Sequence, residues 1–299
     1  ELFRDLLARF GDRLTEAQRG QAQYRLGEAL RQTGNIEEAK SPLEEASDAD
    51  PSSALPLIAL SKIYESEEKW HDVIKVKTRH LDVATGDQRV ELLIEIGDIC
   101  GEKLNDRAGA TKSFVAALED RPDDRKLLTK LMQLYSEEKD WNKLVEVVLR
   151  LADFVDDPKQ KVKYLHTAAI VTARQVGDVD RALEFYEQVL KLEPRFDKAL
   201  NEAVELERER SNWEGVERVL KRRLDAATEA DDRTAMLDSF QQLGNLYEKN
   251  LGLMDQAIDA FEAAQTLERE NKERSEHLGA LYATDPDQYL VKAVASQAL

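Results

Sequence analysis

The chain has 299 residues, 42% hydrophobic and 34% charged, with 60 acidic against 43 basic side chains and a formal net charge of −17. That is enough apolar material for a core, and the acidic excess argues against a general phosphate-binding surface, so wholesale disorder and nucleic-acid binding are both disfavoured. A single cysteine, Cys100, rules out an internal disulfide and leaves no basis for a zinc cluster, and no apolar run reaches the ~18 residues of a membrane span.

In chain order, Glu1-Leu2-Phe3-Arg4 carries neither an initiator Met nor a signal peptide and reads as the middle of a helix. Residues 1–19 are therefore expected to be the remnant of a preceding unit, with Leu2 to Phe10 as its closing helix. From Gly20, the residues Tyr24, Leu26, Gly27, Ala29 and Leu30 predict a helix that breaks at Gly34-Asn35. Ile36, Ala39, Leu43 and Ala46 then recur at helical spacing up to Asp50-Pro51. Gly27 and Ala39 are small enough to let the two helices cross closely, and the proline is expected to stop one helix and open the next.

The same pattern returns along the chain. Ala39, Ala110, Ala182 and Ala257 lie 71, 72 and 75 residues apart, each followed four residues later by Leu43, Phe114, Tyr186 or Phe261. Ala46, Ala117, Val189 and Ala264 come next, then Pro51, Pro122 and Pro194, with Arg269 in the fourth copy. Trp70, Trp141 and Trp213 keep an independent beat of 71 and 72 residues. Two kinds of hairpin thus alternate, an Ala/Pro type and a Trp type. Eight units are expected, starting near Gly20, Ala54, Val90, Arg125, Val162, Asp197, Leu237 and Lys272, with the eighth truncated after Tyr282 and a weak second helix from Gln288. Neither end has a polar capping helix, which points to a longer array. The tryptophans, each opening a second helix, are expected to plug the hairpin junctions.

Leu243-Gly244 with Tyr247, Ala257 and Phe261, and Ile96-Gly97 with Ala110, Phe114 and Pro122, resemble the tetratricopeptide repeat, with its Leu-Gly-x2-Tyr, Ala-x3-Phe and Pro signature. Leu26-Gly27, Ala39 and Pro51 fit with Leu43 in place of Phe. The fifth unit departs with Ala168-Ala169 but keeps Ala182, Tyr186 and Pro194, and the Trp-type units keep Tyr64 and Tyr135 yet lack the Ala-x3-Phe pair. The resemblance covers nearly the whole chain and is similar to that of long arrays in large bacterial proteins. It implies an all-α fold, a right-handed α-α superhelix or solenoid of stacked antiparallel hairpins, forming a single domain over 1–299.

No chemistry-bearing constellation stands out. His71, His80, His166 and His277 are not at metal-ligand spacing, there is no Gly-rich phosphate loop, and pairs such as Glu37-Glu38 and Asp231-Asp232 read as solvated surface. Neither an enzyme active site, a metal nor a cofactor is expected, and Cys100 is expected to be a buried structural thiol. The resemblance implies a scaffold or adaptor that binds partner segments on a concave groove lined by the first helix of each unit. Alternatives are the regulatory or substrate-recruiting region of a larger enzyme, or a spacer that self-associates. The groove positions that grip C-terminal carboxylates in one subgroup hold Tyr24, Glu28, Ile58, Lys62, Ile94 and Asp98 here, so that clamp is absent. Glu91, Glu95 and Asp98 make one unit acidic. The next two offer Lys126, Lys130, Gln133, Lys163, His166 and Arg174, the candidate site for an acidic partner segment. Among compartments the cytoplasm is favoured, and the oligomeric state is open.

Overall fold

The computed structural model describes residues 2–285, 288–289, 291–292 and 294. The second helix expected from Gln288 falls largely outside the described residues. The chain forms two compact units, 1–140 and 141–299, and among the described residues all regular structure is helical.

The first unit contains α1 (Leu2–Phe10), α2 (Glu16–Gln32), α3 (Ile36–Ala49), α4 (Ala54–Ser66), α5 (Trp70–Leu81), α6 (Gly86–Asp98), α7 (Arg107–Asp120) and α8 (Arg125–Glu138). The second contains α9 (Trp141–Asp153), α10 (Pro158–Val171), α11 (Val179–Leu192), α12 (Asp197–Glu209), α13 (Trp213–Glu229), α14 (Arg233–Leu246), α15 (Met254–Leu267) and α16 (Lys272–Tyr282). Within each unit a helix packs chiefly on its neighbours in the chain, as expected when a lone hairpin cannot bury its apolar stripe and must lean on the next one. Four helices, α2, α6, α10 and α14, begin one turn ahead of the expected starts near 20, 90, 162 and 237. In α2, α10 and α14 the extra turn is set by caps that precede the periodic apolar residues. Thr15 forms a reciprocal box with Gln18, and Asp157 and Asp232 accept from the amides of Lys159 and Ala235. Part of the acidic excess is spent this way, since Asp106, Asp124 and Asp178 also cap helices.

The hairpin crossings are built as the small residues require. A Cβ added at Gly27 would lie 2.5 Å from Leu43 Cγ, one at Gly244 would lie 2.6 Å from Phe261 Cε1, and one at Gly97 would collide with the Phe114 ring. Ala39, Ala110, Ala182 and Ala257 are fully buried at the same crossings. The prolines behave differently from expectation. Pro51, Pro122 and Pro194 sit in the turns, three residues before α4, α8 and α12, so they end one helix without opening the next.

One irregularity recurs. Gly27 to Ala39 spans 12 residues, whereas Gly97 to Ala110, Ala169 to Ala182 and Gly244 to Ala257 each span 13. In those three hairpins the first helix ends in a π-helical turn, Ile99–Lys103, Thr172–Val176 or Tyr247–Leu251. There the amides of Leu104, Gly177 and Gly252 reach back five residues to the carbonyls of Ile99, Thr172 and Tyr247. A π turn holds one more residue than an α turn, so it absorbs the insertion and keeps the Gly–Ala crossing in phase.

The hairpin turns pass through left-handed backbone. Gly34, Gly177 and Gly252 supply it at little cost, but Glu68 (φ 56°) and Ser211 (φ 56°) do so in Trp-type units. Relief of that strain, less the entropy a glycine adds to the unfolded chain, predicts that Glu68→Gly stabilises the protein by about 1 kcal/mol. Urea unfolding followed by circular dichroism would read this as a raised midpoint at unchanged slope.

Candidate partner-binding site

In the first unit, the first helices α4 and α6, with α5 beneath them, enclose a cleft of about 590 Å³. Its apolar lining comes from Leu57, Ile58, Leu92 and Ile99, with the indole of Trp70 at one side. Leu57 and Leu92 are buried, while Ile58, Ile99 and Trp70 stay partly exposed. Trp70, Trp141 and Trp213 are all only half-buried, which corrects the expectation that they simply plug junctions. Trp213 packs at the edge of the second unit's core. Trp70 instead lines a solvent-open cleft, and the Lys103 ammonium lies 5.3 Å from its ring centre.

The polar lining is dominated by carboxylates. Lys77, on the apolar stripe of α5 beside Val73 and Val76, is almost fully buried. Its Nζ meets Glu95 Oε2 of α6 at 2.6 Å and Glu65 Oε1 of α4 at 3.0 Å, tying two successive first helices together. Burial pulls the Lys77 ammonium down, but its hydrogen bonds to Glu95 and Glu65 outweigh that and hold its pKa above the usual lysine value. Burial, then the nearby Lys77 charge, pushes His80 below the ordinary histidine range despite Glu95. Neutral His80 can therefore accept from the Gln88 amide through Nε2, 3.2 Å away. Asp98 is paired with Lys130 of α8. Glu91 is exposed and has no ion pair among the described residues, and Lys62 is the exposed cation of the lining.

The six residues singled out for an acidic partner divide between the two units. Lys126, Lys130 and Gln133 lie on α8 in the first; Lys163 and His166 lie on α10 and Arg174 on the π turn after it, in the second. Most are already occupied. Lys130 pairs with Asp98 and lies 5.3 Å from the Phe114 ring centre. Gln133 donates to Glu137 at 3.0 Å. His166 Nε2 is 3.0 Å from Glu202 Oε2, with Phe196 edge-on at 5.0 Å and the Tyr186 hydroxyl donating to the same carboxylate oxygen at 2.6 Å. Arg174 pairs with Glu209 at 3.0 Å, a hydrogen bond that raises its pKa. Only Lys126 and Lys163 remain exposed and without an ion pair among the described residues.

Cys100 is buried, and burial followed by Asp106 raises its thiol pKa. It lines a second cleft of about 630 Å³ between α5 and α7, on the face carried by the second helices, with His71, Ile74 and Leu104. Among the described residues no group of three or more His, Cys, Asp and Glu is arranged to hold a metal ion, and no helix is long and apolar enough to cross a membrane. Three of the four paired carboxylates have structural partners: Glu37 binds Lys40, Glu38 binds Arg4, and Asp232 caps α14.

Repeated two-helix units packed neighbour on neighbour define a helical-repeat protein, the class that builds protein-interaction scaffolds. Residues 20–53, 237–271 and 171–200 match patterns described as tetratricopeptide repeat. These three segments are tetratricopeptide repeats. All three matched segments belong to Ala/Pro-type hairpins. No curated protein matches the chain. Among solved structures it is similar to YrrB, a TPR protein with an unusual peptide-binding site, at 16% identity over 67% of this chain and 97% of that one, with a TM-score of 0.35. It is also similar to a tetratricopeptide repeat protein from Parabacteroides merdae, at 14% identity over 88% and 99%, with a TM-score of 0.36. With the Naa15/Naa10 structure bound to HypK-THB the identity is 16% over 98% of this chain and 52% of that one, with a TM-score of 0.46.

Proposed function

We propose that the chain is a non-catalytic scaffold that holds segments of partner proteins on the groove formed by the first helices of successive hairpins. The observation that carries this reading is the cleft between α4 and α6, where Trp70, Ile58 and Ile99 leave apolar surface open beside charged side chains. Concave sites with an apolar lining and a few placed polar groups are where proteins hold ligands, and aromatic anchors dominate binding energy. Tetratricopeptide repeats are typically scaffolds of this kind.

The test compares two surfaces on equal terms. Partners captured from the native organism by the wild-type chain are compared with those captured by Ile58→Ser, on the first-helix face, and Ile74→Ser, on the second-helix face. Loss of partners with Ile58→Ser alone is the expected result. Loss with Ile74→Ser alone would overturn the reading.

A further inference from the structure

We propose that the cleft between α4 and α6 receives a partner segment in which a Lys or Arg adjoins an aliphatic side chain, rather than the acidic segment that the lysines of α8 and α10 had suggested. The proposal rests on the reading of this face as the partner-binding surface. It follows from which charges are left over once internal pairing is complete. Four carboxylates line the cleft, Glu65, Glu91, Glu95 and Asp98, against two ammonium groups, Lys62 and Lys77. Lys77 is consumed by Glu65 and Glu95, yet the Glu95 side chain keeps 54% of its exposure. Glu91 is exposed and has no ion pair among the described residues. An incoming cation therefore meets one unpaired carboxylate and a second that is half open. An incoming anion meets the same carboxylates, with Lys62 in the lining and Lys103 over the Trp70 ring as its counter-charges.

The rest of the lining agrees. Ile58 and Ile99 flank the carboxylates and offer an apolar seat for the stem of a long basic side chain or for an aliphatic neighbour. Trp70 adds an aromatic face of the kind that attracts cations, as Lys103 already demonstrates at 5.3 Å. Complementary charge of this sort sets orientation and rejects wrong partners more than it adds affinity, so the apolar seat must supply much of the binding.

A random peptide library displayed on phage, selected against the whole immobilised chain, asks the question without presupposing a sequence. Selected peptides are then remeasured against Glu91→Lys, Ile58→Ser and Glu184→Lys. The last makes the same charge change at an exposed site on α11 and controls for the general attraction of basic peptides to a chain of net charge −17. The expected result is enrichment of Lys or Arg next to Leu, Ile or Val, with affinity falling about tenfold in Glu91→Lys and unchanged in Glu184→Lys. Enrichment of Asp or Glu, or equal weakening by Glu91→Lys and Glu184→Lys, overturns the charge assignment while leaving the groove in place. Binders indifferent to Ile58→Ser, or none at all, overturn both this inference and the reading beneath it.

Discussion

Phe261→Ala is expected to cost about 3–5 kcal/mol of folding stability. Phe261 is fully buried in an apolar cluster of the second unit. Its ring edge lies where a Cβ on Gly244 would stand, and the His277 ring meets it edge-on at 5.0 Å. Truncation removes the transfer energy of a phenyl group and opens a void that α14 cannot fill, because Gly244 has no side chain to offer. Denaturant unfolding should show the loss as a lower midpoint. The double substitution Phe261→Ala with Gly244→Leu should recover part of it, since the new side chain enters the same space. A cost below about 1 kcal/mol, or no recovery, would show that the crossing is looser than the contacts indicate.

The second large effect is a loss of stability in alkali. Several tyrosines donate their hydroxyls to carboxylates on neighbouring helices: Tyr64 to Glu44 at 3.0 Å, Tyr186 to Glu202 at 2.6 Å, Tyr247 to Glu217 at 2.9 Å and Tyr282 to Glu262 at 2.9 Å. Burial, then the hydrogen-bonded carboxylate, pushes Tyr64 up to about 12 from 10 and raises Tyr186, Tyr247 and Tyr282 as well. A group whose pKa is higher folded than unfolded contributes its full stability below the unfolded pKa and loses it as pH rises toward the folded one. The decline should therefore begin near pH 10 and deepen toward pH 12. Lys77, also raised by its carboxylates, acts in the same direction. Urea midpoints measured across that window should fall steeply, and Tyr186→Phe should flatten the slope while lowering stability at neutral pH only modestly. A profile that is level from pH 9 to 12 would contradict the phenol–carboxylate pairs.

The alternating beat of alanines and tryptophans was legible because it reflects helix crossings, which recur wherever a hairpin recurs. The match over 171–200 begins just after Ala168-Ala169, where the fifth unit abandons Leu-Gly. The π turns were also present as a spacing of 13 instead of 12 between the small residue of the first helix and the alanine of the second, a difference that the alanine-to-alanine spacings do not carry. The fate of the basic stretch was harder to read. Lys130, His166 and Arg174 find Asp98, Glu202 and Glu209 at separations of 32, 36 and 35 residues. That is about one hairpin, so the partner lies on the neighbouring first helix. Residues far apart in sequence thus cancel each other's charge, and a list of exposed lysines overstates what remains. The half-exposure of Trp70 depends on how α4 and α6 flank it, which no local pattern records.

That packing within each unit runs chiefly between chain neighbours has a mechanical consequence. In a globular domain a pulling force is shared across strands or helices distant in sequence. Here the load passes from one helix interface to the next in series, and the weakest gives way first. Under tension such a unit lengthens hairpin by hairpin in small increments and re-forms in the same order when released. The chain would then behave as a compliant tether, and force spectroscopy would record a low, stepped resistance in place of one sharp rupture.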